Sequence, residues 1–192
     1  DAELSKKIVE FIVDKLHKLV KIDTIISNYE KGGFAFAFLP PSWPFERSKC
    51  HLIFKQLLSR ITLKLVYDRD KLIKYWYKCL KSKTKRFIVI PLRLEFSDNY
   101  DGHANSLVYD KHTGELERFE PHGTKSPGNL YFSELNSSIE SELKPILKFT
   151  KYFPPNDFCP DISFQKLPGA KHLENDPGGF CHWWTVYYMD LR

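Results

Sequence analysis

The chain has 192 residues, a formal net charge of +5, and a composition that is 42% hydrophobic and 28% charged, with 4 Trp, 10 Tyr and 15 Phe. That length fits about one domain, and the aromatic supply excludes wholesale disorder. No apolar run reaches the roughly 18 to 20 residues needed to cross a bilayer as a helix. The opening residues Asp1, Glu3, Lys6 and Lys7 lack the basic-then-apolar pattern of a signal peptide. Cys50, Cys79, Cys159 and Cys181 form no CxxC pair and have no histidine at zinc-like spacing. No metal or cofactor is therefore expected. The thiols read as reduced, which implies an intracellular setting.

In chain order, residues 4 to 22 place Leu4, Ile8, Phe11, Ile12, Leu16, Leu19 and Val20 at helical spacing, an amphipathic helix. Gly32-Gly33, Pro40, Pro41 and Pro44 mark an irregular segment. Leu52 to Leu65 reads as helix, with Ile61 to Val66 open to a strand instead. Asp68 to Lys81 returns to helical spacing, with Leu72, Ile73, Trp76 and Leu80 on one face. The cations Lys78, Lys81, Lys83, Lys85 and Arg86 read as a solvated linker; an acidic partner or nucleic acid is the weaker alternative.

From Phe87 the period changes. Phe87 to Phe96 is a predicted central strand with Pro91 an awkward member. Asn105 to Asp110 and Glu115 to Glu120 form a hairpin, because Gly114 supplies the positive φ that a short turn needs. Leu130 to Leu147 is a predicted helix with a bend near Pro145. Phe149 to Phe153 and Asp161 to Lys166 are short strand candidates. Phe180 to Arg192 reads as an aromatic helix after Pro177-Gly178-Gly179, and its abrupt end points to a piece of a longer protein. The pattern predicts one α+β domain over 1–192: a helical part over 1–86, then a core over 87–192 with a small, mostly antiparallel sheet and a C-terminal helix carrying Cys181.

Three residues carry a chemistry together. Cys181 lies just past a Gly-Gly turn at a predicted helix start, where backbone N–H groups and the helix dipole favour thiolate. A buried cysteine among Trp183, Trp184 and Tyr187 is the competing reading. His103 stands at the mouth of a strand. If Asp110 pairs with Glu115, then Glu120 falls opposite Asn105, and His103 is its diagonal neighbour on the same face. A carboxylate beside an imidazole fixes the tautomer and stabilises the imidazolium. The oxyanion donor is expected from Gln165 or from Asn175, with the Cys181 N–H. His122 is a rival histidine, read here as a turn residue.

The order His103, Glu120, Gln165, Cys181 resembles the ubiquitin-like-protease clan of cysteine proteases, which includes SUMO proteases, the adenovirus proteinase and bacterial effector deubiquitinases. The stretches at 102 to 110, 117 to 123 and 179 to 184 are also similar to protease-like domains of giant DNA viruses. The resemblance covers residues 87 to 192. It departs at Ala104, where SUMO proteases carry Trp, at Glu120, where they carry Asp, and at Gln165, which lies further from the cysteine. The resemblance implies a Cys-His-Glu thiol isopeptidase acting on ubiquitin or a ubiquitin-like modifier, in a host cytoplasm if the protein is a viral or bacterial effector. Gly179, Trp183 and Asn105 are then expected to line the groove for the modifier's tail, although Trp183 and Trp184 fit a core equally well. Two readings compete: a Yop-type acetyltransferase using the same triad, and a catalytically silent interaction domain. No membrane span and no nucleic-acid partner are expected.

Overall fold

In the computed structural model, residues 44–48, 52–57, 62–96, 101–124, 132–159, 161 and 188 are described. Seven strands form one sheet: β1 (Phe45–Arg47), β2 (Leu52–Leu57), β3 (Thr62–Val66), β4 (Phe87–Phe96), β5 (Asp101–Asp110), β6 (Glu115–Phe119) and β7 (Lys151–Phe153). Their order is β3-β2-β4-β5-β6-β7, with β1 beside β4. The architecture is α+β, as the sequence pattern predicts. The sheet is not mostly antiparallel, however. The β2/β3, β4/β5 and β5/β6 pairs run antiparallel, whereas β1/β4, β2/β4 and β6/β7 run parallel.

Two of the three parallel pairs bring in β1 and β2, from the part before residue 87 that is expected to be helical; the third, β6/β7, lies within the core. Leu52–Leu57 and Thr62–Val66 are strands and not a helix, the second in line with the strand alternative at Ile61 to Val66. Leu52, Ile53, Gln56 and Leu57 satisfy a helical spacing, but Leu52 and Phe54 also alternate with Ile53 and Lys55 at the strand period. The edge of β4 decides between the two patterns: Leu52 and Phe54 pair with Leu92 and Leu94 and are buried, with 0% and 2% exposure. Intrinsic preference yields here to a tertiary partner.

Pro91 also finds its explanation at this edge. Phe87 and Val89 direct backbone groups toward β1, through Phe87 N–H to Pro44 O and Ser48 N–H to Val89 O. By the same two-residue alternation, Pro91 turns its nitrogen toward the β1 and β2 side of the strand, between the Arg47–Val89 and Leu52–Leu92 pairings. A central strand accepts a proline where no ladder bond is asked of it.

Helix α1 (Arg69–Lys81) is capped by Asp68, whose side chain accepts the Lys71 N–H at 2.9 Å. It buries Leu72, Trp76 and Cys79, while Leu80, expected on the inner face, is 36% exposed. Helix α2 (Phe132–Ser138) runs through a π-helical turn at Ile139–Leu143 into α3 (Lys144–Leu147). The wide turn lies where Pro145 would otherwise crowd the preceding backbone, so the predicted bend takes this form. Lys148 closes the segment at φ 56°.

One face of the sheet carries Leu52, Phe54, Ile88, Ile90, Leu92, Leu94, Leu107, Tyr109, Leu116 and Tyr152, and these pack with Leu72, Trp76, Leu135, Ile139 and Leu143 in a single core. Trp76 meets Tyr109 edge to face at 4.7 Å. Each fully buried Leu or Ile contributes roughly 1.5–3 kcal/mol over its exposed state. Cys181 and the predicted helix at 4–22 lie outside the described residues, as do the predicted strand at 161–166 apart from Asp161 and the predicted helix at 180–192 apart from Tyr188. No helix among the described residues is long and apolar enough to cross a membrane.

Candidate active site

The core face changes character along β5 and β6. From the hairpin turn outward, β5 presents Tyr109, Leu107, Asn105 and His103, and β6 presents Leu116, Arg118 and then Glu120 just past its end. Apolar residues near the turn thus give way to a buried polar group at the far end. The register makes this possible. Asp110 pairs with Glu115 and Ser106 with Phe119, so the next step sets Glu120 against Asn105 with His103 on the same face.

His103 Nε2 meets Glu120 Oε1 at 2.5 Å, with the two residues only 5% and 1% exposed. The carboxylate is saturated with donors. Oε1 also accepts the His122 backbone N–H at 2.9 Å, and Oε2 accepts Asn105 Nδ2 at 2.9 Å with Arg118 Nη1 3.5 Å away. Burial works to raise the Glu120 carboxyl. The charge of His103 and its hydrogen bond, then Arg118 and the His122 N–H, outweigh it and hold the carboxyl below the ordinary glutamate range. A carboxylate on Nε2 keeps the proton there and leaves Nδ1 as the basic nitrogen.

The turn after β6 sets both Glu120 and His122. Gly123 N–H donates to Glu120 O at 3.0 Å, Pro121 sits at the second position, and Gly123 takes φ 77°. The His122 ring is thereby laid on His103, with ring centroids 4.3 Å apart and planes tilted by 37°. His122 is thus a turn residue, as the sequence reading has it, but one in direct contact with the predicted base.

Arg118 is the member that sequence reasoning missed. It is fully buried, donates to Asn105 Oδ1 at 2.7 Å, and turns its other nitrogens to Asn136 of α2 at 3.2 Å and to the Tyr152 hydroxyl of β7 at 3.3 Å. Tyr152 in turn donates to Asn136 Oδ1 at 2.8 Å, and the guanidinium lies 4.6 Å over the Phe132 ring. The signal was present in the alternation Leu116, Arg118, Glu120, which puts an arginine on the inward face of a strand.

Asn105, expected at the substrate, is instead fully buried and gives its side chain to Glu120, Ala104 O and Arg118. The other predicted positions, Cys181, Gln165, Asn175, Gly179 and Trp183, lie outside the described residues. Tyr188, on the segment that follows Cys181, is described: its ring stacks on Phe119 at 4.3 Å with planes 7° apart and lies 5.9 Å from Phe158. Phe119 points to the sheet face opposite Glu120 and α1. A second thiol, Cys159, is buried near this site; burial pushes it up to about 11, against a hydrogen bond from the Glu120 backbone that lowers it. Among the described residues no group of three or more His, Cys, Asp or Glu is arranged to hold a metal ion.

No protein-family description matches the chain, and no solved structure does. The chain is similar to "Putative ankyrin repeat protein L371" of Acanthamoeba polyphaga mimivirus, 32% identical over 124 residues. The match covers 58% of this chain and 16% of that protein. The chain therefore corresponds to a small portion of that relative, whose name describes repeats and specifies no reaction.

Proposed function

We propose that the chain is an intracellular thiol isopeptidase that removes ubiquitin or a ubiquitin-like modifier from proteins, with Cys181 as nucleophile and His103 as base. The observation that carries this reading is the buried His103–Glu120 contact, in which an ionised carboxylate orients an imidazole from one end of a rigid hairpin. A structural ion pair is the bland alternative. It does not call for a second imidazole against the first, nor for four donors converging on one carboxylate. Tyr188 ties the chain seven residues beyond Cys181 to β6 through Phe119, on the sheet face opposite Glu120.

His103 Nδ1 takes the Cys181 thiol proton, and the thiolate attacks the carbonyl carbon of the modifier's C-terminal glycine. The resulting oxyanion is held by the Cys181 N–H and by Gln165 or Asn175. Collapse breaks the C–N bond, His103 returns the proton to the departing lysine amine, and a thioester remains. Water, deprotonated by His103, then attacks the thioester and releases the modifier's carboxylate and the thiol. Glu120 stabilises the imidazolium in each half of the cycle.

Ubiquitin and SUMO bearing C-terminal electrophiles test the reading directly. One of them is expected to label Cys181 in the parent and not in Cys181→Ala. Transfer of acetyl from acetyl-CoA through an otherwise unlabelled Cys181 would move the chain to the acetyltransferase reading. Absence of both reactions, with the fold intact, would leave an interaction domain.

A further inference from the structure

We propose that Arg118 is a positioning residue that sets the protonation of His103 by compensating the charge of Glu120. The inference takes its purpose from the thiol-enzyme reading, but the geometry and the test stand apart from it.

The argument is one of charge balance inside a dry site. Arg118 and Glu120 are 0% and 1% exposed, and a buried carboxylate without a counter-charge is costly by several kcal/mol. With Arg118 present, guanidinium and carboxylate sum to zero while the imidazole is neutral. His103 then holds or releases a proton according to what lies at its Nδ1. With Arg118 neutralised, the cheapest way to balance Glu120 is to protonate His103 permanently, and an imidazolium cannot accept the thiol proton.

The geometry fits that role better than a simple brace. Arg118 Nη1 reaches Asn105 Oδ1 at 2.7 Å, and Asn105 Nδ2 reaches Glu120 Oε2 at 2.9 Å, so the charge is relayed through a side chain that fixes both partners. The direct Nη1 to Oε2 distance is 3.5 Å. The other end of the guanidinium is anchored by Asn136 and Tyr152, both neutral: burial pushes the Tyr152 hydroxyl up to about 12. Among the described residues the remaining titratable neighbours are these. His122 gives Glu120 a backbone N–H and presses its ring on His103, Cys159 adjoins the Glu120 backbone, and Glu117, Glu140 and Asp157 act further out, on Cys159 or Tyr152. Arg118 is the one permanent cation acting on the Glu120 carboxylate among the described residues.

The test follows the His103 ring by NMR across pH, in a Cys181→Ala background so that no thiolate contributes. Arg118→Gln is expected to move the His103 midpoint upward by about one pH unit, and Arg118→Lys to return it most of the way. Asn136→Asp guards against misfolding of these buried variants: it is isosteric, keeps the acceptor, and draws Arg118's charge away from Glu120. The same upward movement is expected there. An unchanged midpoint in Asn136→Asp and in whichever Arg118 variant folds would overturn the proposal and make Arg118 a structural brace. Because the readout is a titration and not turnover, a shifted midpoint beside a parent protein that neither electrophile labels would sink the isopeptidase reading while sustaining this one.

Discussion

His103 and His122 address the same oxygen of Glu120 by different atoms, one through its ring and the other through its backbone N–H, with the two rings 4.3 Å apart. Substituting the two therefore removes different things. His103→Ala deletes the ring that the carboxylate orients and is expected to lower turnover by about 10²- to 10⁴-fold. His122→Ala keeps the backbone N–H on Glu120 and loses the ring that packs on His103, so a fall of less than about tenfold is expected. Hydrolysis of a modifier carrying a C-terminal fluorogenic amide measures both. A reversed ranking would assign the base to His122.

Glu120→Gln keeps the shape and removes the charge, but it also strips Arg118 of a counter-ion. Turnover per folded molecule is expected to fall sharply, and stability by about 3 kcal/mol, the scale for a buried pair that loses one partner. The pH dependence separates charge from shape. The Glu120 carboxyl is depressed in the fold relative to its ordinary value of 4.5, so its stabilisation is complete above that value and is lost as pH falls through the folded value. Melting curves of parent and Glu120→Gln should thus differ most at neutral pH and converge in acid. Asp110, held down by the Arg86 guanidinium against the raising effect of burial, adds a smaller acid loss common to both proteins.

Cys159 provides a control for the nucleophile. Burial pushes its thiol up to about 11, so at pH 7 it is almost wholly protonated, and it is 8% exposed. Iodoacetamide is expected to leave Cys159 and the buried Cys79 unmodified in the native protein and to reach both in denaturant. An activated Cys181 would react at pH 6 to 7 under native conditions. Fast native alkylation of Cys159 would show that the site opens or that the nucleophile was misassigned.

The hairpin was legible in the sequence because its determinants are local: Gly114 at φ 73°, Asp110 capping the turn through His112 N–H, and a two-residue alternation on either side. From that register the meeting of His103 and Glu120 followed without any tertiary knowledge. Strand β2 was not legible, and β3 was legible only as the alternative at Ile61 to Val66, because Leu52 and Phe54 take their conformation from Leu92 and Leu94 of β4, forty residues away, and Leu65 then pairs with Phe54. Arg118 was hidden for a different reason. A charged residue in a strand reads as solvent-facing, and only Asn136 and Tyr152, brought in by a later helix and strand, make its burial affordable. Asn105 lay at the right place but in another role, since a side chain wedged between a buried cation and anion is committed to both.

Two glycines with nearly the same backbone predict different consequences. Gly114 and Gly123 take φ 73° and 77°, a region that costs an L side chain roughly 1–2 kcal/mol. At Gly114 a Cβ would also meet Thr150 Cγ2 at 3.1 Å, and the Thr150 N–H bonds to Gly114 O at 2.8 Å. Gly114→Ala should therefore loosen the junction of the hairpin with β7 and lower the melting temperature by about 2 to 8 °C. The far end of the hairpin is untouched, so turnover per folded molecule should hold. Gly123→Ala carries a similar backbone penalty, but at the turn whose Gly123 N–H to Glu120 O bond fixes the carboxylate and the His122 N–H together. Relaxing that turn moves Glu120 relative to His103, and a misplacement of about 1 Å is enough to cost on the order of 10²-fold in rate. Equal melting losses with turnover reduced in Gly123→Ala alone is the expected outcome of thermal denaturation read beside kinetics on the same samples. Full activity in Gly123→Ala at a temperature where it is folded would mean that the carboxylate is held by Asn105 and Arg118 without help from the turn.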